Sequence, residues 1–129
     1  MPTARVPIVL VVDDEPAVRA VLTTFLREEG YHVLEAPDGL GAMHLVEWAS
    51  RTEPRPDVML LDMMMLGLDG LGVLAQLQQL LGTIPVVAMS ASRAHLAAAE
   101  AAGAAATVAK PFDFDEVLAV VQRHGSRPS

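Results

Sequence analysis

Cysteine is absent from the 129-residue chain, which excludes disulfides, thiolate metal sites and cysteine nucleophiles. Aromatic residues are scarce, 4% of the chain against 52% hydrophobic residues in all. A core must therefore be built from aliphatic, Ala and Met side chains, which suits a layered α/β or an all-α protein. Basic charge is also short, with nine Lys and Arg against sixteen Asp and Glu and a formal charge of -7. Such a balance repels a phosphate backbone, so no direct nucleic acid binding by this domain is expected. No apolar run approaches the roughly 20 residues that cross a bilayer, and the first is far shorter than the apolar stretch of a signal peptide. A soluble, cytoplasmic protein with no membrane partner is expected, and the length suits one domain with one core.

The apolar residues that are present fall into alternating patterns. Ile8–Val12 is continuously apolar, as in a buried strand, whereas Val18, Val21, Leu22, Phe25 and Leu26 take the i, i+3, i+4, i+7 and i+8 places of an amphipathic helix. Gly30 sits where a left-handed helix cap is wanted, and Tyr31–Ala36 reads as a short strand. A helix over Gly39–Ala49 follows, then a loop, SRTEPRPD, then a strand at Val58–Asp62. GLGVLAQLQQLLG supplies a third helix, Ile84–Ser90 a fourth strand, Arg93–Ala102 an Ala-rich helix and Ala106–Lys110 a fifth strand. The last helix carries a capping box of Asp113 with Glu116, and Phe112 and Val117 stand at the staple positions.

Five strands alternating with five helices imply an α/β fold, a parallel sheet covered on both faces, with right-handed crossovers alternating the helices between sides. The domain is expected over residues 6–124, with residues 1–5 an N-terminal tail and 125–129 a C-terminal tail or the start of a linker.

In an open sheet of this kind, ligands bind outside the carboxyl ends of the strands, where strand order reverses. The polar residues collect there. Asp13 and Asp14 end the first strand, Asp62 the third, Ser90 the fourth and Lys110 the fifth. Singly, each has an ordinary role: Asp14 as a helix N-cap ahead of Pro16, Asp62 as a turn residue, Ser90 as a cap of the Ala-rich helix, Lys110 reaching for water. Together they place three carboxylates and one ammonium at one edge. Three negative charges against one positive would repel or protonate without further compensation. Oxygen ligands without His or Cys favour a hard divalent cation, and few carboxylates with room for water favour Mg²⁺ over Ca²⁺. A metal beside a carboxylate, a Lys and a hydroxyl suits phosphoryl transfer, with Asp62 as the nucleophile. The resulting acyl phosphate adds about one negative charge, which Mg²⁺, Lys110 and Ser90 would share.

The stretches VVDDEP, LLDMMMLGLDG, AMSAS and VAKPF, in this order and spacing from Val6 to about His124, resemble the receiver domain of two-component response regulators of the chemotaxis-regulator type. The resemblance implies a flavodoxin-like sheet of order 2-1-3-4-5, with Asp62 accepting a phosphoryl group from a histidine kinase or phosphotransfer protein. It implies Mg²⁺ held by Asp13, Asp14, Asp62 and the backbone carbonyl of Met64. Ser90, Ala91 and Lys110 would contact the phosphoryl group, and Met64 and Ser92 would tune dephosphorylation. The Lys110–Pro111 bond is expected to be cis, an isomer that costs X-Pro bonds only about 0.5–1 kcal/mol. The surface of the fourth helix, fifth strand and fifth helix would engage an output domain or protein partner, and the resemblance allows a phosphorylation-dependent dimer.

Two positions depart from the family pattern: Leu66 stands where Pro is usual, and Thr107 where a switch aromatic is common. A flavodoxin-like FMN binder is excluded by the anionic first loop, and an aspartyl-phosphate hydrolase by the adjacency of Asp13 and Asp14. The remaining alternative is a pseudo-receiver, a phosphorylation-independent interaction module.

Overall fold

Each uninterrupted aliphatic run becomes a strand, and each 3.6-periodic run a helix laid across the sheet. The computed structural model describes residues 6–52, 55–64, 70–80 and 84–125. The expectations attached to Leu66 and to the tail residues 1–5 and 126–129 lie outside them. The chain runs β1 (Ile8–Val12), α1 (Pro16–Glu28), β2 (His32–Ala36), α2 (Gly39–Thr52), β3 (Val58–Asp62), α3 (Gly70–Leu80), β4 (Val86–Ser90), α4 (Arg93–Ala101), β5 (Ala106–Ala109) and α5 (Phe114–His124). The five strands form one parallel sheet of order β2-β1-β3-β4-β5, the flavodoxin-like arrangement.

Side chains alternate across the strands and so build two cores. Leu10, Val12, Met59 and Leu61 pack with Ala42 and Met43 of α2, Leu74 of α3 and Ala99 of α4. Val9, Val11, Leu60 and Met89 pack with Leu22 and Leu26 of α1 and Val117 and Val121 of α5. Each fully buried Leu or Val contributes roughly 1.5–3 kcal/mol. The helices therefore do not alternate between faces as expected. The β2-to-β3, β3-to-β4 and β4-to-β5 crossovers all travel the same way along the sheet, and a fixed right hand keeps α2, α3 and α4 on one face. Only β1-to-β2 runs the other way, which puts α1 opposite them and beside α5.

Several boundaries differ from the sequence reading for local reasons. Helix α2 continues through Ser50, Arg51 and Thr52, expected in the loop, because no Gly or Pro stands between Gly41 and Pro54 to stop it. Strand β2 starts at His32 because the Tyr31 N–H is used by the helix end: it donates to Leu26 O, and Gly30 N–H to Arg27 O. Gly30 sits at φ 97, the left-handed cap expected of it. Strand β4 begins after Pro85, not at Ile84, β5 stops at Ala109, and α4 stops at Ala101 with Ala102 as its C-cap. In α5 the Asp113 carboxylate accepts the Asp115 N–H at 3.0 Å, and among the described residues no bond returns from Glu116, so the cap forms without the full box. Phe112 and Val117 share one core cluster, as a staple would. Val21 is 49% exposed and not on the buried stripe, which is narrowed to Leu22, Thr23 and Leu26.

Candidate functional site

Sheet register assembles the site. Val12 pairs with Leu61, Asp62 with Met89 and Ser90 with Ala109, so Asp13 leaves its strand level with Asp62, and Lys110 leaves β5 one step beyond Ser90. Alternation gives Asp13, Asp62 and Lys110 the parity of Val11, Leu60 and Val108, toward α1 and α5, and Ser90 the opposite parity, that of Ala88. Accordingly Lys110 Nζ reaches both acids, 3.1 Å from Asp13 Oδ2 and 3.6 Å from Asp62 Oδ2. The Ser90 hydroxyl instead accepts the Ser92 N–H at 3.0 Å.

Asp13, Asp62 and Ser90 are buried and Asp14 half-buried. A buried carboxylate needs hydrogen-bond donors, and the following loops supply them. Asp13 Oδ1 accepts the Glu15 N–H at 2.9 Å, and Asp62 Oδ1 the Met64 N–H at 3.0 Å. Asp62 thus closes a turn as well as joining the site. Two ordinary explanations fail here: Glu15, not Asp14, is the N-cap of α1, and Ser92, not Ser90, caps α4 by accepting the His95 N–H at 3.3 Å. Met64 and Ala91 are exposed beside the site and Ser92 half-buried. Thr107 is half-buried on β5, and the Lys110–Pro111 peptide bond is cis.

Burial pushes the Asp62 carboxyl above the ordinary carboxylate range; the Met64 N–H and Lys110 oppose this, and the charges of Asp13 and Asp14 add to it. For Lys110, burial favours the neutral amine, but the hydrogen bond to Asp13 and the charges of Asp13, Asp62 and Glu15 outweigh it and hold the pKa above that of a free Lys. One carboxylate oxygen from each of Asp13, Asp14 and Asp62 lies within 4.8 Å of the others. Three acids facing one ammonium leave the cluster two charges short of neutrality. An all-oxygen donor set with that deficit fits Mg²⁺.

Two features beside the acids escaped the sequence reading. Arg19 Nη1 donates to the backbone carbonyl of Asp13 at 2.6 Å, and its Nε lies 3.4 Å from Glu35 Oε1 on β2. A lone Arg early in an acid-flanked helix hints at a loop contact, but its partner on β2 is visible only in three dimensions. The second feature is an open apolar groove of about 420 Å³, lined by Glu15, Val18, Val21, Lys110, Phe112 and Phe114. A second hollow on α1, sharing Val21 and Phe114 with it, is lined by Thr24 and Phe25, and the Phe25 ring stacks on Phe114 at 4.7 Å.

Comparison with known proteins agrees with this geometry. Residues 9–122 match the response regulator receiver domain family. The chain belongs to that family, the signalling domains of two-component response regulators, which generally bind Mg²⁺. It is 34% identical over 118 residues to sporulation initiation phosphotransferase F of Bacillus subtilis (strain 168), covering 90% of this chain and 91% of that protein. It is 40% identical over 113 residues to response regulator MprA of Mycobacterium sp. (strain KMS), covering 86% of this chain but only 47% of MprA. The receiver domain of NtrX from Brucella abortus superimposes with a TM-score of 0.82 at 29% identity, over 90% of this chain and 96% of that one. Among the described residues no helix is long and apolar enough to cross a membrane.

Proposed function

We propose that this chain is a phosphoacceptor switch that takes a phosphoryl group onto Asp62 from a histidine kinase or phosphotransfer protein. One observation carries the reading: Asp62 Oδ2, 3.6 Å from the Lys110 ammonium and inside the Asp13–Asp14 cluster, accepts no hydrogen bond among the described residues. That oxygen attacks the phosphorus atom as the P–N bond to the donor imidazole breaks, and the bonding pair returns to the imidazole nitrogen. The Met64 N–H holds the other oxygen and so fixes the direction of attack. Lys110 sits where an equatorial phosphoryl oxygen would need a counter-charge. Asp13, Asp14, Asp62 and the Met64 carbonyl would hold Mg²⁺, which supplies the charge neutralisation that three acids and a phosphoryl group require.

After transfer, Ser90 is the residue best placed to report. Its hydroxyl is bound to the Ser92 N–H, and Ser92 caps α4, so a hydroxyl drawn toward the phosphoryl group would release the start of that helix. Of α4's described side chains only Ala99 is fully buried, so little apolar area resists the displacement. With Thr107 in place of a ring, the signal passes to the α4, β5 and α5 surface through backbone and helix movement. Ala91 would add its backbone N–H to the phosphoryl group, and Met64 and Ser92 would set water access during dephosphorylation. The donor would dock with an apolar helix face in the groove of Val18, Val21 and Phe114, because Lys110 lines that groove and the acceptor opens beside it. The same reading places the domain, residues 6–124, in the cytoplasm, with its output in another segment or protein.

The test is labelling with a small phosphodonor such as acetyl phosphate in Mg²⁺. One acid-stable, base-labile phosphoryl group per chain is expected, lost in Asp62→Asn. Labelling that survives that substitution, or none in the wild type, would overturn the assignment.

A further inference from the structure

Asp13 is held at every polar atom. Its N–H donates to Ala36 O at 3.2 Å, its carboxylate meets the Glu15 N–H and Lys110, and its carbonyl accepts Arg19 Nη1 at 2.6 Å. Arg19 is itself held at Nε by Glu35, the neighbour of Ala36 on β2. The end of β2 therefore grips Asp13 twice, once directly and once through the Arg19 fork. The carbonyl in question belongs to the peptide unit that joins Asp13 to Asp14. Its orientation sets the direction in which the Asp14 side chain leaves the backbone, and so how closely the two acids converge.

We propose that Arg19 is a positioning residue for the divalent cation site, locking the Asp13–Asp14 peptide plane so that both carboxylates face Asp62. The proposal rests on the reading of this cluster as a Mg²⁺ site. A surface ion pair between Arg19 and Glu35 alone would contribute little. The short charge-assisted bond to a backbone carbonyl is another matter: at 19% exposure the Arg19 side chain is mostly withdrawn from water, and its planar fork serves the carbonyl and the carboxylate together. A Lys presents a single point charge and cannot make both contacts in that geometry.

The experiment is Mg²⁺ titration by calorimetry and by backbone amide NMR, on wild type, Arg19→Ala, Arg19→Lys and Glu35→Gln, with thermal unfolding of each metal-free protein. Arg19→Ala should lose about 10-fold or more in Mg²⁺ affinity, the scale found when groups that orient metal ligands are removed. Its metal-free spectrum should show the Asp14 and Glu15 amides displaced. Arg19→Lys should recover only part of the affinity, and Glu35→Gln, at an exposed position, should show a smaller loss in the same direction. Unchanged affinity in Arg19→Ala overturns the proposal, and so does full recovery in Arg19→Lys, which would make charge alone responsible. If Arg19→Ala does not fold, Glu35→Gln decides, and wild-type affinity there overturns it. A wild-type protein that binds no Mg²⁺ removes the metal reading itself, whereas wild-type binding with indifferent variants removes only the role of Arg19.

Discussion

The Lys110 ammonium is hydrogen-bonded to Asp13 at 3.1 Å across 97 residues of sequence. Asp62 lies beyond hydrogen-bond reach of the same nitrogen, at 3.6 Å. The ammonium is thus held first by Asp13, and Asp62 keeps an oxygen that accepts no hydrogen bond among the described residues while burial raises its pKa.

That raised pKa has a testable sign. Asp62 binds its proton more tightly in the folded chain than in the unfolded one, so its contribution to stability is fully present below the unfolded pKa and is lost as pH rises through the folded pKa. At pH 7 without metal, the buried Asp62 carboxyl therefore destabilises the fold. Asp62→Asn should therefore melt higher than wild type in a chelator at pH 7, by about 4 °C for each kcal/mol gained. The gain should vanish as pH falls below about 4, where the unfolded acid is also protonated. Thermal unfolding from pH 3 to 7 measures it; a lower Tm for the variant at pH 7 would contradict the burial argument.

Lys110 has the opposite role. Its pKa is raised in the fold, so its stabilisation is present throughout the neutral range and is lost only in strong alkali. Lys110→Met should destabilise the metal-free protein by about 1–3 kcal/mol, the scale for leaving a buried acceptor unpaired. Urea unfolding at pH 7 checks this, and no loss of stability would show that Asp13 does not depend on the ammonium.

Mg²⁺ should stabilise the wild type by about 2.7 kcal/mol at one hundred times its Kd, by mass action on the folded state. In Asp13→Asn/Asp14→Asn that increment should disappear. Denaturation curves with and without Mg²⁺ measure it, and an undiminished increment in the double variant would refute the acid platform.

Val21 and Phe114 are 49% and 38% exposed at the mouth of the groove beside Lys110. Val21→Asp should slow phosphotransfer from a protein donor that phosphorylates the wild type by about 10-fold or more, as loss of an interface anchor does. Labelling by acetyl phosphate, which needs no groove, should stay at the wild-type rate. Equal slowing with both donors would mean that the substitution damages the site, not the interface.

Gly125, at the end of α5, has no room for a side chain. A Cβ there would lie 2.9 Å from Val58 Cγ1 and 3.0 Å from the Val121 carbonyl, and neither a fully buried strand residue nor a helix backbone can move away cheaply. Gly125→Ala should cost about 1–3 kcal/mol of stability, as overpacking does, with Mg²⁺ affinity unchanged. Denaturant unfolding tests it, and wild-type stability would show that the helix end yields.

Local patterns alone determined the strands at Ile8–Val12 and Val58–Asp62, the Gly30 cap and the collection of Asp13, Asp14, Asp62, Ser90 and Lys110 at one sheet edge. These are properties of short segments: aliphatic runs bury, breakers end them, and polar residues just past a buried strand must face the carboxyl edge. Only the tertiary structure decided that Lys110 bonds Asp13 before Asp62, that the Ser90 hydroxyl turns to Ser92, and that Arg19 ties Asp13 to Glu35. The same holds for the shared face of α2, α3 and α4 and for the exposure of Val21. Each depends on inter-strand register, on the direction of successive crossovers or on which neighbour a helix meets, and these arise from contacts between residues far apart in the chain, which no local pattern encodes.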